Sequence, residues 1–475
     1  MRRVTSDPRG LRSDAPLLDA YLRFLESGPS PFTIPGHKQR TDLVGSVVAG
    51  DVPLFGGLDT VKVEHGVLAA AEARAADLWG ADVCRFSVGG STHGNQALAL
   101  AVAQPGDHVV VPRTLHRSLL MGLVLAGLVP VWIQPRLDPA TGLPLGTEPD
   151  DVSRALREHP SARAVFLGDP SYVGTCCDLA AIADRVHEHD LPLLVDAAWG
   201  AHFGFHPALP GHALAQGADA VVTSAHKTLP AYSQAALVLA RTERLEADRL
   251  DRAFEATHTT SPAGAILASI DAARALLARD GHDLLGRLVA NVRQARDRLS
   301  AVAGVVVLDG PRVDPAKLVV LVAGTGADGN AVERDLLEAG MPVEMADLDV
   351  LVPMLTVADD REHVGALVQA LEASIERRRG RPRRGAGSGW ELEPRPLLPP
   401  REAFFARHEK VAIDQAIGRT CAEVVAPYPP GVPVLAPGEE VTRSAVDLLR
   451  AARARGTRIA YAADPGLRTL TVVAR

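Results

Sequence analysis

The sequence predicts an α/β protein with a large domain on a mostly parallel sheet, a small α+β domain and a C-terminal α+β subdomain. At 475 residues the chain exceeds the size that one hydrophobic core normally serves, so more than one domain is expected. Its residues are 47% hydrophobic but only 4% aromatic, which suits helices packed on a sheet. Apolar runs also alternate with amphipathic segments over residues 31–241.

Four apolar runs in this region predict buried parallel strands. They are HVVVP (108–112), ARAVFLG (162–168), LPLLVDAA (191–198) and DAVVTSAH (219–226). Helix-like stretches such as DLAAIADRVHEHD lie between them, so strand and helix alternate along the chain. This alternation is typical of a sheet with helices on both faces.

Polar residues follow each of the four runs. His116, Asp169, Asp196 and Lys227 come at or just beyond the predicted strand ends. Ligands of open α/β sheets bind at the carboxyl ends of the strands, because loops and helix N-termini meet there. We therefore expect these four residues to face one crevice.

Beyond this region the sequence changes character several times. A long helical stretch begins at SPAGAILASIDAAR, and a run rich in arginine and glycine, ERRRGRPRRGAGSG, is most simply a solvated linker, with nucleic-acid contact as the alternative. The predicted divisions are an N-terminal arm (1–30), a large domain (31–265), a small α+β domain (266–378), a linker (379–392) and a C-terminal domain (393–475).

Charge and composition exclude several classes of partner. A formal net charge of −7 on a chain of this length argues against nucleic acid or an anionic membrane as the main partner. The sequence contains no apolar run of membrane length and no signal-peptide core after its basic start. The four cysteines have neither metal-ligand nor disulfide spacing, so we expect no metal site and a cytoplasmic location.

Lys227 in VVTSAHKTLPAYSQAA is the first chemical candidate. Most lysines are ordinary solvated side chains. A lysine at a strand end, however, can bind pyridoxal 5′-phosphate (PLP) covalently as a Schiff base. PLP further requires a carboxylate at its ring nitrogen, donors for its phosphate and a flat group against its ring.

Other residues meet these requirements. Asp196 at a strand end suits the ring nitrogen, although it could be a turn or helix-capping aspartate. The turn GGST precedes an Ala/Leu-rich helix, so Gly90, Ser91 and Thr92 form a candidate phosphate site, with a plain helix cap as the alternative. Ser224 and His226 would close the phosphate site from the other side.

Two aromatic side chains complete the candidate site. His116, in TLHRS, is the candidate to stack on the cofactor ring, although a lone histidine is as often structural. Trp199 follows DAA after a predicted strand, and we expect it to wall the cofactor or substrate pocket rather than to be a simple core residue.

Together these segments resemble the Orn/Lys/Arg decarboxylases, fold-type-I PLP enzymes that decarboxylate basic amino acids. The resemblance covers nearly the whole chain from about Leu17 and includes the C-terminal REAFFARHEKVAIDQAIGRTCAEVVAPYPPGVPVLAPGEEV. Its other signatures, in chain order, are PFTIPGHKQ, GGSTHGNQA, LHRS, VDAAWGAHFGFHP, SAHKT and TTSPAGAILASIDAAR.

The resemblance implies a role for each candidate. Lys227 matches the Schiff-base lysine, Asp196 the ring-nitrogen partner and His116 the stacking histidine. It also implies a short-form enzyme of polyamine biosynthesis that works as a homodimer or a larger homo-oligomer. Further matches are Ala198 beneath the ring and a set of cofactor contacts, namely Gly90, Ser91, Thr92, Trp199, Ser224 and His226.

Several alternatives stay open from the sequence. Arginine, lysine and ornithine are all possible substrates, and Asp59, Glu64 and Glu439 are candidates to bind the substrate's distal cation. An aminotransferase or aldol-type lyase would use the same lysine and aspartate, and a non-catalytic regulatory paralogue would keep the same fold. The chain reads DAAW where many short relatives read DEAH, and GLDTVKVEHG (57–66) is a loose version of the family stretch.

Overall fold

A computed structural model describes residues 7–28, 31–52, 66–383, 392–428 and 432–475. The α-helices of these residues are α1 (Pro16–Ser27), α2 (Thr41–Val44), α3 (Val67–Trp79), α4 (Gly90–Val102), α5 (Arg117–Ala126), α6 (Pro149–Glu158), α7 (Leu179–His187), α8 (Ala225–Thr228), α9 (Ala247–Thr257), α10 (Gly264–Ser300), α11 (Gly329–Glu338), α12 (Arg361–Arg377), α13 (Pro400–Phe405), α14 (Ile413–Ala416) and α15 (Arg443–Ala454). The strands are β1 (Val83–Ser87), β2 (His108–Pro112), β3 (Val129–Ile133), β4 (Val165–Gly168), β5 (Leu193–Asp196), β6 (Ala220–Thr223), β7 (Ala236–Ala240), β8 (Val306–Val307), β9 (Val320–Leu321), β10 (Met345–Ala346), β11 (Val350–Val352), β12 (His408–Ala412), β13 (Ala426–Tyr428), β14 (Arg458–Ala460) and β15 (Thr469–Val473).

The large sheet has seven strands in the order β1-β7-β6-β5-β4-β2-β3. The pairs β2–β3, β2–β4 and β5–β6 are parallel, whereas β7 is antiparallel to both β1 and β6. Strand β6 is buried at every position, as a strand covered on both faces should be. The four predicted strands are confirmed as β2, β4, β5 and β6, and so is the mostly parallel α/β fold class.

The chain divides into two compact units, each made of two stretches. The first unit contains Met1–Ala101 and Leu194–Leu285, and the second contains Val102–Leu193 and Gly286–Arg475. The domain boundaries drawn from the sequence stay predictions. Of the predicted linker, residues 384–391 lie outside the described part of the chain.

In the first unit, a buried aspartate attaches helix α1 to the long helix α10. Asp271 is 0% exposed and accepts hydrogen bonds from the backbone N–H of Leu17 at 2.8 Å and from the Arg274 guanidinium at 2.7 Å. The positive N-terminal end of α1 and the arginine together neutralise this carboxylate. Asp271 and Arg274 of the ASIDAAR segment therefore have a structural role, since they hold α1 against α10.

The second unit also contains two smaller layers. A four-stranded sheet, in the order β10-β11-β9-β8, encloses an apolar cluster that includes Val319 and Val352. The C-terminal part packs α15 and the pairs β12–β15 and β13–β14 around Val446, Leu449 and Leu470. No helix among the described residues combines the length and apolar character needed to cross a membrane.

Candidate active site

Lys227 lies one turn beyond the carboxyl end of β6. The strand ends at Thr223, Ser224 occupies the N-cap position, and the short helix α8 carries the lysine. The Lys227 Nζ atom lies 4.3 Å from the centroid of the Trp199 ring, a cation–π distance. Trp199 therefore lines the space around the lysine, and its contact with a cofactor stays a prediction.

Asp196 is the last residue of β5, the strand that pairs with β6. Its Oδ1 atom accepts a hydrogen bond from the backbone N–H of Ala198 at 3.1 Å. Its Oδ2 atom accepts one from Nδ2 of Asn95 at 2.7 Å. Both carboxylate oxygens are thus fixed in direction by neutral donors.

Asn95 was not predicted from the sequence, although a signal for it was present. It lies four residues after Ser91 in GGSTHGNQA, so both residues lie on one face of α4. Its side chain is buried, since the residue is only 2% exposed. The helix that begins at the GGST turn is therefore bonded directly to Asp196.

The GGST turn forms the start of α4, as the sequence predicts. Gly90 has a φ of +68°, in the left-handed region that favours glycine, and its N–H donates to the Gln234 carbonyl at 2.9 Å. Ser91 and Ser224 bring their Oγ atoms to 2.6 Å of each other, which joins the two predicted halves of the phosphate site. Thr92 is exposed at the first turn of the helix.

His93 supports this turn from below and was also missed. Its Nδ1 atom lies 2.8 Å from Ser87 Oγ, and its Nε2 atom donates to the Phe254 carbonyl at 3.0 Å. Burial lowers the pKa of His93 to about 4, so the ring is neutral at physiological pH. A neutral ring here fixes the turn without adding charge.

His226 points toward the backbone of the following loop. Its Nδ1–H donates to the Ala235 carbonyl at 2.9 Å. Burial is the main cause that lowers the pKa of His226, and the neighbouring Lys227 cation acts in the same direction. Both causes therefore favour the neutral form of the His226 ring beside the Lys227 cation.

His116 belongs to the second unit and forms the N-cap of α5. Its Nδ1 atom accepts from the backbone N–H of Ser118 at 3.2 Å and lies 2.7 Å from the Ser118 hydroxyl. Because Nδ1 accepts, the hydrogen-bond geometry assigns the ring proton to Nε2. The His116 residue is exposed, and its stacking on the cofactor ring stays a prediction.

The second unit also places the carboxylates Asp169 and Glu439. Asp169 follows β4, is 3% exposed and accepts from the Cys177 N–H at 2.6 Å; its burial raises its pKa to about 7. Glu439 pairs with the Arg113 guanidinium, with Oε2 2.8 Å from Nη2, and the two side chains are only 4% and 5% exposed.

The structure therefore corrects one prediction about the substrate cation. Glu439 was a candidate to bind it, but its carboxylate is occupied by Arg113 and by the N–H of Ala436, which donates at 2.8 Å. Its charge is therefore already balanced inside the protein, and a second guanidinium would be buried without a counter-charge. The other two candidates, Asp59 and Glu64, lie outside the described residues.

Comparison with known proteins settles the family. The Orn/Lys/Arg decarboxylase major-domain model matches residues 15–311, and the C-terminal-domain model of the same family matches residues 391–462. The chain belongs to the Orn/Lys/Arg decarboxylase family. It is accordingly a PLP-dependent carbon-carbon lyase that decarboxylates a basic amino acid, as the sequence motifs predicted.

Individual relatives align with most of this decarboxylase. It is 33% identical to an arginine decarboxylase of Halalkalibacterium halodurans, over 97% of this chain and 98% of that protein. An arginine decarboxylase of Bacillus subtilis is 32% identical, over 92% and 93% of the two chains. A lysine decarboxylase of Pseudomonas aeruginosa is 26% identical, over 85% of this chain and 69% of the other.

Solved structures agree on the fold of the decarboxylase. The Francisella novicida lysine decarboxylase superposes with a TM-score of 0.83 at 19% identity, covering 97% of this chain and 81% of the other. A serine palmitoyltransferase of Sphingomonas wittichii gives a TM-score of 0.56 at 18% identity, over 78% and 85%. The fold-type-I assignment is thereby confirmed.

The residues of the first unit fit the cofactor that the family implies. PLP requires an amine, an anion and a group of phosphate donors, and Lys227, Asp196 and the paired hydroxyls of Ser91 and Ser224 supply these chemical types. Beside the lysine, the buried Oγ1 atom of Thr228 has no hydrogen-bond partner among the described residues. A buried hydroxyl of this kind is rare in a finished protein interior and suits a bound polar ligand.

Proposed function

We propose that this decarboxylase acts on arginine, and that Lys227, Asp196 and His116 are its catalytic residues. The net reaction breaks the bond between Cα and the carboxylate carbon, releases CO2 and adds one proton to Cα. The product is the corresponding amine, agmatine. The arrangement that supports this proposal in the first unit is the pair formed by Lys227 and Asp196 at the ends of adjacent parallel strands.

Similarity in sequence supports arginine over lysine and ornithine. The two arginine decarboxylases at 33% and 32% identity align with nearly all of this chain and nearly all of their own length. The lysine decarboxylase of Pseudomonas aeruginosa is less similar and aligns over only 69% of its own length. We therefore propose arginine, the substrate named for the two relatives that align over nearly their full length.

The chemistry assigns each catalytic residue a task. When bound, PLP would supply an electron sink for the electron pair at Cα. Lys227 provides the amine that holds the cofactor and can move a proton to Cα. Asp196 provides a fixed negative charge for the ring nitrogen, and His116 offers a flat ring.

The remaining predicted contacts divide between phosphate and ring. Ser91 and Ser224 already lie within hydrogen-bonding distance of each other, and a phosphate would find both hydroxyls and the positive end of α4 at one place. Ala198 is small and only 8% exposed, which suits a position beneath the ring. Gly90, Thr92, Trp199 and His226 are kept as the other proposed contacts.

We also propose that the decarboxylase is a cytoplasmic homodimer or a larger homo-oligomer. Support comes from exposed apolar side chains on one stretch of the first unit. Phe32 is 96% exposed, Leu43 65% and Val47 83%, which is costly for side chains facing water. A second copy of the chain that covers this stretch would remove the cost.

A substrate survey tests the proposed reaction. Purified protein with added PLP is offered arginine, lysine and ornithine in turn, and the amines and CO2 are measured by mass spectrometry. We expect kcat/KM for arginine to exceed that for the other two by at least about tenfold. Polar groups placed to hydrogen-bond a guanidinium would be left unpaired by the smaller ammonium group of lysine or ornithine. A larger kcat/KM for lysine or ornithine contradicts the proposed substrate.

A matched pair of lysine variants tests the assigned site in the same assay. Lys227→Ala should lose both the visible absorbance of the lysine-bound cofactor and the amine product. Lys410→Ala removes an exposed lysine of β12 and should leave both unchanged. Product formation at the unmodified rate in Lys227→Ala would exclude Lys227 as the cofactor lysine.

A further inference from the structure

The bond between Asn95 and Asp196 has a role in the charge of the site. We propose that Asn95 is a positioning residue that keeps Asp196 an oriented anion, so that the carboxylate can hold the proton on the cofactor's ring nitrogen. This inference rests on the proposed function, because it takes Asp196 as the ring-nitrogen partner. It adds a residue that acts on the cofactor only through that aspartate.

The geometry leaves Asn95 one way to serve the carboxylate. A carboxylate only accepts hydrogen bonds, so the amide must turn its NH2 group toward Oδ2 of Asp196, at 2.7 Å. The Ala198 N–H holds the other oxygen at 3.1 Å. With one donor on each oxygen, the plane of the carboxylate cannot rotate freely, and each oxygen keeps a lone pair for another donor.

The charge of the partners matters as much as their position. Within the described part of the chain, no lysine or arginine forms an ion pair with Asp196, whereas Arg274 neutralises Asp271 in the same unit. An amide stabilises the anion through its dipole and adds no positive charge. The full negative charge of Asp196 therefore remains for a cationic group, as a protonated pyridine ring would be.

The location of Asn95 gives the bond a second consequence. Asn95 and Ser91 lie one turn apart on α4, so the helix that begins at the GGST turn also carries the donor to Asp196. Asn95 is 2% exposed, so water does not compete for its amide. The distance between the phosphate end and the ring-nitrogen end of the cofactor site is thus set by one rigid helix.

The test measures the proton on the ring nitrogen directly. The full-length protein is reconstituted with PLP labelled with 15N at that nitrogen, and its 15N chemical shift is followed against pH. Asn95→Leu keeps most of the side-chain volume but removes the donor. We expect its ring nitrogen to lose the proton at a pH about one unit lower, and its PLP dissociation constant to rise roughly tenfold, because a hydrogen bond to a charged group is lost.

Two further variants separate this role from simple packing. Leu98→Ala truncates a buried side chain on the same helix, and it should lower the unfolding temperature while its 15N titration matches that of the wild type. Asn95→Gln keeps the amide donor on a longer side chain, so its 15N titration should lie closer to that of the wild type than that of Asn95→Leu does.

The outcomes distinguish this inference from the proposed function. A 15N titration of Asn95→Leu that superposes on the wild-type curve overturns the inference, and leaves the proposed function intact if the wild type decarboxylates arginine. An Asn95→Gln titration that lies no closer to the wild-type curve than that of Asn95→Leu overturns it as well. A wild-type protein that does not bind PLP through Lys227 overturns the proposed function and the inference together.

Discussion

Asp196 in the first unit and Glu439 in the second are two carboxylates that the sequence offers as ligand partners, and the structure surrounds them with opposite kinds of donor. Glu439 faces the Arg113 guanidinium, and both side chains are about 5% exposed or less. Among the described residues, Asp196 faces an amide and a backbone N–H and no cation. Glu439 is therefore neutralised by a side chain of the protein, whereas Asp196 is not.

This difference separates a structural carboxylate from one that is free to bind. Arg113 follows β2 and also lies 4.7 Å from the centroid of the Trp132 ring, so the Glu439 ion pair fixes the loop after that strand. Removing either partner would leave the other charged and buried. Asp196, in contrast, has no such ion pair among the described residues, so a cation that bound it would be its first. The donors therefore distinguish the two carboxylates where their places in sequence motifs do not.

The largest expected effect comes from removing the charge of Asp196. Asp196→Asn keeps the size of the side chain, so the unfolding temperature should change little. The rate of arginine decarboxylation should fall by about a thousandfold, the scale seen when one preorganised electrostatic group is lost. The rate is measured as CO2 release with PLP in excess.

The matched control for Asp196→Asn is Asp271→Asn in the same unit. Asp271 bonds Arg274 and the start of α1, so its substitution should lower the unfolding temperature and leave the rate per folded molecule unchanged. A large loss of stability in Asp196→Asn with little loss of rate would reverse the assignment of the two aspartates.

The next effect concerns Glu439 and should appear in stability. Glu439→Gln leaves the Arg113 guanidinium buried without its counter-charge, which should cost about 3 kcal/mol in the free energy of unfolding. Replacing both partners by apolar residues, as in Arg113→Met with Glu439→Leu, should recover part of that loss. Urea unfolding followed by circular dichroism measures both.

An exposed ion pair provides the control for this variant. Glu409 is 43% exposed and bonds Arg419, so Glu409→Gln should hardly change the unfolding midpoint. Equal midpoints for Glu439→Gln and Glu409→Gln would mean that the Arg113 pair does not hold the structure together.

The sequence predicted the fold correctly, because the fold depends on local patterns, whereas the roles of the candidate residues stay predictions. Apolar runs such as DAVVT form buried strands wherever they occur in a chain of this kind, and GGST followed by Ala and Leu residues starts a helix. The sequence could place Asn95 on one helix face with Ser91, but it could not predict the bonds from Asn95 to Asp196 and from Arg113 to Glu439, since these partners are 101 and 326 residues apart along the chain. Hydrogen bonds over such separations depend on how helices pack on the sheet, and no local pattern encodes that.

Asp169 gives a third kind of carboxylate, whose expected effect on stability is small from one pH unit to the next. It is buried with a backbone N–H as donor, and desolvation raises its pKa to about 7, against about 4 in an unfolded chain. The folded protein therefore binds a proton that the unfolded chain gives up near pH 4. Its contribution to stability is present in full below about pH 4 and is lost as pH rises to about 7.

Asp169→Asn removes this ionisable group and tests its contribution to stability. The variant is neutral at every pH, so its free energy of unfolding should increase relative to the wild type by at most about 1.4 kcal/mol per unit as pH rises from about 4 to 7, and should change no further above that. Urea unfolding of both proteins at pH 5, 6, 7 and 8 measures the difference. A difference that stays constant across this range would mean that Asp169 is already ionised in the folded protein, and that its hydrogen bond from the Cys177 N–H outweighs the cost of burying its charge.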